Sequence, residues 1–407
     1  MTAEVQNQLP KDWLKRFLVI WSGQAFSILG SQLVSFALVW WMTKETGSAL
    51  VLAASSTMIY LPRVLLGPFI GALIDRWNRR WVIILSDAGV AAATVLLAVL
   101  FWTGAVQLWH IYVLIFIRSL GGIIHFPAME SSMILMVPER HLPRIAGLNH
   151  VLNGGVSILG PALGALLMET LPMQGVLAID VVTAFLAISP LFFIRIPQPV
   201  HQKPVDHITP RVVLQDVADG FRYLVGYRGL IMTIWYAILL NFILTPTGSF
   251  LPLLVTQHFN GGVWHLGLLE SVSGVGMISG GLLLSIWGGF KRRIWNTIVA
   301  VGVLGFTILL IGSAPASAFP FVVGLVFIRG MSGTVMDGSI ISIMQGIIRP
   351  DMQGRVFSLL LMAGGITSPL GLMVAGPVAE RFGVQSWYIF CGSVAVILGL
   401  ISPFCAI

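Results

Sequence analysis

Charged side chains interrupt the long apolar stretches of this chain at few points, and chemistry is expected there. The basic ones are Arg63, Arg118 and Arg329; the acidic ones are Asp87, Glu130, Asp180, Glu270 and Asp337. An ionised group in an apolar medium costs roughly 2.5–3.5 kcal/mol on insertion scales, so each should pair, carry a proton or meet a charged ligand. Five acids facing three bases leave an excess of negative charge that protons or a cationic substrate must neutralise. Proton carriers are therefore expected among Asp337, Glu270 and Asp180. Asp337 comes first, because Arg329 lies eight residues away, close to the same helical face. Arg118 and His125, seven apart, share a face in the same way.

A second constellation is the stretch GALIDRWNRRW, residues 71–81, with Asp75, Arg76, Arg79 and Arg80 packed into six positions after an apolar run. Such a hairpin can hold a carboxylate against a helix N-terminus and an arginine against an acid elsewhere. Other chemistries lack their residues. No lysine follows a glycine, so there is no Walker A loop for ATP, and HExxH, CxxC and nucleophile-elbow patterns are missing too. His258 and His265 flank one turn but form no recognisable metal set, and neither a metal nor a cofactor is expected. Cys391 and Cys405, fourteen residues apart on one helix, would lie about 21 Å from each other, too far for a disulfide.

Lipid is the medium that positions these groups. Hydrophobic residues make up 57% of the 407 and charged ones 10%, against roughly a quarter in soluble domains. Mean hydropathy is +0.91. Stretches long enough to cross a bilayer occur near 16–43, 49–74, 81–102, 110–137, 145–169, 173–194, 230–256, 264–290, 294–313, 319–346, 355–379 and 386–405. The first is read as a retained span, because a signal peptide has a shorter apolar core. With the N-terminus placed in the cytoplasm, 18 of the 23 Lys and Arg residues fall in cytoplasmic segments, and only Lys44 and Arg381 fall outside. That asymmetry predicts twelve spans with both termini cytoplasmic. It also accounts for the net charge of +7 without any nucleic acid.

The halves repeat. LIFIRSLGG at 114–122 matches LVFIRGMSG at 325–333, an offset of 211, and each is followed by a Pro-acid pair, Pro138-Glu139 and Pro350-Asp351. The expected domains are 1–194, a six-helix bundle, and 230–407, a second one. Residues 195–229 would link them and include an amphipathic helix whose stripe is Val213, Val217, Phe221 and Leu224. Parallel repeats of this kind characterise transporters that rock about a central site. SGVGMISGG at 273–281 reads as small-residue helix packing.

GALIDRWNRR resembles the hairpin motif G-x-L-x-D-R-x-G-R-[RK] of the major facilitator superfamily, with Asn78 where a glycine is usual; Asn tolerates the left-handed turn that a glycine there would serve. FIRSLGG resembles the family's buried-arginine motif. LGPALGA is similar to its exporter motif, matching Gly160, Pro161 and Gly164, with Ala165 last. IWSGQAFS, TKETGSALVL and AIDVVTAFLA resemble the macrolide-efflux branch. The resemblance implies an all-α membrane fold of twelve helices in two pseudo-symmetric six-helix bundles. It implies a secondary exporter of bulky amphiphilic compounds working by alternating access, with protons as the exchanged ion. A monomer in a bacterial inner membrane is expected. The cytoplasmic gate would comprise Gly71, Asp75, Arg76, Arg79, Arg80 and Glu130, with Arg79 pairing Glu130. The substrate cavity would be lined by Gln24, Arg63, Arg118, His125, Asn241 and Arg329. The first span carries Gln24, Ser27, Ser31, Gln32 and Ser35 but no acid, which departs from simple exporters of lipophilic cations. An exporter of an endogenous product such as a siderophore or lipid, and a receptor or scaffold on the same fold, remain open.

Overall fold

In the computed structural model, the described backbone covers residues 12–198, 221–224, 226 and 228–405; the side chains at 68–69, 71–76, 228, 233, 351 and 402–405 lie outside the description. The expected linker helix therefore falls largely outside it. Of its stripe, Leu224 is buried beside Leu230, Ile234, Met344 and Ile348, whereas Phe221 is exposed.

Twelve long helices follow one another: α1 Trp13–Thr46, α2 Ala49–Arg76, α3 Arg79–Trp102, α4 Leu108–Met136, α5 Leu142–Thr170, α6 Met173–Phe193, α7 Arg228–Ser249, α8 Val263–Trp287, α9 Arg293–Ser313, α10 Phe319–Ile347, α11 Pro350–Phe382 and α12 Val384–Cys405. Among the described residues there is no strand, and twelve helices are long and apolar enough to cross a membrane. Their outer faces are apolar, with Phe193 87% and Ile286 86% exposed, an arrangement that lipid solvates and water would not. Prolines inside α4, α5, α6 and α11 (Pro127, Pro161, Pro190, Pro369 and Pro377) are the kind membrane helices accommodate.

Two local features differ from the sequence reading. Asn78 does not turn left-handed. Its φ of −67° is ordinary, and its side chain caps α3 by accepting hydrogen bonds from the amides of Arg80 and Trp81. A glycine could not supply that cap, so the departure from the motif adds a function. The apolar stretch at 230–256 is also not one helix. α7 stops at Ser249; a short turn, Leu251–Leu253, and a π-turn, Leu254–His258, continue the chain. Pro252 has no N–H to extend the α7 ladder and sits instead at the start of the new turn.

The contacts group the chain into two compact units. The described residues of 1–38, 58–156 and 166–210 form the first, and those of 39–57, 157–165 and 211–407 the second. The α1–α2 turn and a piece of α5 thus pack with the second unit, although they belong to the first sequence repeat. In the first unit Ile20, Ile70, Val82, Ile83, Ile84, Ala128 and Leu191 form an apolar cluster. In the second, helices meet through glycine. On α8, a Cβ at Gly276 or Gly280 would collide with the carbonyl oxygens of Phe327 or Met331 on α10, so this pair closes to backbone contact as its sequence predicts.

Candidate functional site

The polar side chains of the first unit gather in two layers. The upper layer joins four helices. Arg118 of α4 donates from Nη1 to Asp180 Oδ2 of α6 at 2.6 Å and to Thr94 Oγ1 of α3 at 3.2 Å, and from Nη2 to the Ser31 carbonyl of α1 at 3.1 Å. Thr94 Oγ1 and Ser31 Oγ in turn donate to the two carboxylate oxygens of Asp180. Asp180 is 2% exposed, and every oxygen it presents has a partner. This is the arrangement a buried charge requires.

The lower layer joins three of the same helices. Gln24 Nε2 of α1 donates to Asp87 Oδ2 of α3 at 3.2 Å, and His125 Nε2 of α4 lies 3.4 Å from Asp87 Oδ1. Each member lies seven residues from its upper-layer counterpart: Gln24 and Ser31, Asp87 and Thr94, His125 and Arg118. Seven residues are two helical turns, about 10 Å. The spacing of Arg118 and His125 is visible in the sequence, and the same spacing on α1 and α3 sets Asp87, one of the acids within the spans, in the layer of His125 and Gln24.

The second unit holds its charges differently. Arg329 Nη2 of α10 donates to Thr247 Oγ1 of α7 at 3.0 Å, while the Tyr388 hydroxyl of α12 donates to the Thr247 carbonyl. Asn241 of α7 accepts from Ser368 at 2.7 Å and Thr367 at 3.3 Å, both on α11. Arg329 and Asp337 do not pair. Among the described residues neither Asp337, which is exposed, nor the half-buried Glu270 of α8 forms an ion pair. Arg63 of α2 is likewise exposed.

At the hairpin, Arg79 Nη1 donates to the Ser131 carbonyl at 2.9 Å rather than to the neighbouring Glu130, whose side chain is exposed and outside the described ion pairs. The Ser131 carbonyl lies within the last turns of α4, so this bond ties the start of α3 to the end of α4. Arg80 donates to the Phe192 carbonyl at 2.7 Å and lies over Trp81. The side chains of Asp75 and Arg76, and the surroundings of Gly71, are outside the description.

Gly160, Pro161 and Gly164 are buried on α5. Within the second unit, Gly267 of α8 sits where a Cβ would come within 2.9 Å of the Pro161 carbonyl and 2.7 Å of Ala165 Cβ. The room lost at Ala165 is thus supplied by the opposing glycine.

A further contact was invisible in the sequence. Glu380, near the end of α11, accepts from Ser48 Oγ at 3.1 Å and from the amides of Ala49 at 2.7 Å and Leu50 at 3.4 Å. It caps the N-terminus of α2, where free amides and the helix dipole favour a carboxylate. Beside it, Gln257 Nε2 donates to the Gly47 carbonyl at 2.6 Å. His258 bonds the Ala314 carbonyl and Gln385, and His265 accepts from the Gly262 amide.

The family profile of the Major Facilitator Superfamily matches residues 20–372. Macrolide efflux protein A of Streptococcus pyogenes is 31% identical over 392 residues, covering 96% of each chain. Macrolide efflux protein A of Enterococcus faecalis is 31% identical over 80% of this chain and all of its own. Among solved structures, the nucleoside transporter NupG superposes with a TM-score of 0.72 at 15% identity, covering 96% of this chain and 98% of its own.

Proposed function

Because this chain belongs to the Major Facilitator Superfamily, a family of multi-pass membrane transporters, we propose that it is a secondary exporter of bulky, amphiphilic, macrolide-like compounds. It works by alternating access, exchanging substrate for protons across a bacterial inner membrane, as a monomer with both termini in the cytoplasm. The observation that carries the export reading is the end-to-end similarity to Macrolide efflux protein A, which covers 96% of both chains.

The Glu380 clasp supports alternating access. It ties the α1–α2 turn, from the first repeat, to α11, from the second, and three hydrogen bonds on one carboxylate can be made or broken as a group. On the orientation that the basic residues favour, it lies on the external side. The hairpin at 71–81 would do the reverse job on the cytoplasmic side, with Asp75 against a helix N-terminus of the second repeat and Arg76, Arg79 and Arg80 around it. One latch opens as the other closes. Gln24, Arg63, Arg118, His125, Asn241 and Arg329 are the groups we assign to the substrate path, and Gly160, Pro161 and Gly164 form a close helix seam that allows sliding.

Uptake of a radiolabelled macrolide into inside-out proteoliposomes, with an acid-inside gradient imposed, tests the reading. Accumulation that collapses when the gradient is dissipated is expected. Equilibration without accumulation would overturn the exchange mechanism, and no protein-dependent uptake would overturn the substrate class.

A further inference from the structure

We infer that the exchanged proton is bound by a dyad of Asp87 and His125 braced by Gln24, while the Arg118–Asp180 pair one layer away is a closed structural ion pair. The inference rests on the proton-exchange reading above and names the site of that exchange.

The two layers share three helices but differ in the partner each carboxylate has. Asp180 faces Arg118 at 2.6 Å, and a guanidinium keeps its proton under all physiological conditions. Thr94 and Ser31 occupy its remaining capacity. Adding or removing one proton there would leave an uncompensated charge among apolar helices. Asp87 instead faces an imidazole, the one side chain that ordinarily gains and loses a proton near neutrality.

The geometry is that of an open site. His125 Nε2 is buried and has no completed hydrogen bond, yet it points to within 3.4 Å of Asp87 Oδ1. Gln24, 2% exposed, donates to the other oxygen and fixes the carboxylate without contributing charge. The groups facing Asp87 can be named element by element. From α1 comes neutral Gln24, and from α4 His125. Asp180 of α6, in the adjacent layer, is the further acid that acts on it, and its charge is matched by Arg118. Two partners and no fixed cation leave the dyad at −1 without a proton and neutral with one.

One proton arrives from water and binds between Asp87 Oδ1 and His125 Nε2; the same proton leaves when the site opens to the other side, and no other bond changes. In exchange for an incoming cationic or amphiphilic substrate, this is a switch of one charge unit in the helix interior.

The test compares two transport modes in the same proteoliposomes: accumulation driven by a pH gradient, and counterflow, which needs no net proton movement. Asp87→Asn and His125→Gln should lose pH-driven accumulation out of proportion to any loss of counterflow, and Asp87→Glu should restore part of it. Substrate binding to detergent-solubilised wild type, read with a pH dye in weak buffer, should displace protons; the Asn variant should displace none. If both variants accumulate like wild type, the dyad is refuted. If Asp87→Asn does not reach the membrane, His125→Gln decides alone. If wild type shows counterflow but no pH-driven accumulation and no proton release, the exchange reading itself falls, and the dyad with it. Equal losses in both modes would mean that the pair only braces the helices and would overturn the inference.

Discussion

Arg118 and Arg329 stand at equivalent points of the internal repeat, 211 residues apart, and their surroundings have little else in common. Arg118 is enclosed by a carboxylate, a hydroxyl and a backbone carbonyl; Arg329 has one hydroxyl, and among the described residues no acid. The same offset carries Asp180 to Cys391, fully buried on α12, and His125 to Met336. The repeat therefore preserved the arginine and the helices but not the chemistry around them. Among the described residues the second unit has no ion pair, and it is tightened by glycine seams. On α9 and α12, a Cβ at Gly392 would strike the backbone of Leu309, and one at Gly312 would come within 2.7 Å of Tyr388 Cβ. Glycine contacts occur in the first unit as well, where a Cβ at Gly23 would come within 2.9 Å of the Leu186 carbonyl. The difference is that, among the described residues, only the first unit adds a buried ion pair to them.

The strongest attack on this contrast is Asp180→Leu. It leaves the Arg118 guanidinium buried without its carboxylate, and a stability loss of about 3–5 kcal/mol is expected. Thermal unfolding of the detergent-purified protein reads it. Adding Arg118→Met should recover most of the loss; a double variant as unstable as the single one would show that charge pairing is not what joins these helices.

Gly392→Val tests the other unit. Forcing a side chain into the backbone of α9 should cost about 1–3 kcal/mol through overpacking. Were that variant to melt with wild type, the seam would be looser than its geometry implies.

A smaller effect is expected at Arg329→Gln. Its loss removes one described hydrogen bond and breaks no ion pair, so stability should fall by only about 1 kcal/mol. A drop as large as that of Asp180→Leu would reveal a hidden acidic partner and erase the asymmetry.

Least of all, Glu380→Gln weakens a cap on α2 rather than a buried pair, by about 0.3–1 kcal/mol at a helix N-terminus. Its signature is conformational. A cysteine introduced beside Ser48 should label faster with a membrane-impermeant maleimide when Glu380 is neutralised. Unchanged labelling would remove the clasp as a latch.

Much of the architecture was legible in the sequence. Apolar length set the number of spans, because any backbone crossing lipid must close its hydrogen bonds within a helix. SGVGMISGG announced a close helix seam, since residues without side chains at four-residue spacing have that one use in lipid. The FIR repeat marked Arg118 and Arg329 as interior cations. Boundaries were less certain where proline offers the chain two continuations, as at Pro252. The role of Asn78 was open for a similar reason: a residue that can enter a left-handed turn can equally cap a helix, and only the neighbouring amides decide.

Pairing is what the sequence by itself left open. It determined which residues are charged, that lipid surrounds them, and which lie on one face of one helix. Whether Arg118 meets His125 or Asp180, whether Arg329 meets Asp337, and whether Glu380 meets anything depend on which helix lies beside which and at what rotation. An offset of seven is written along a single helix, so it survives in a one-dimensional text. The 2.6 Å between α4 and α6, and the carboxylate of α11 resting on the first turn of α2, come from packing between segments 62 and more than 300 residues apart, and only the folded chain decided them.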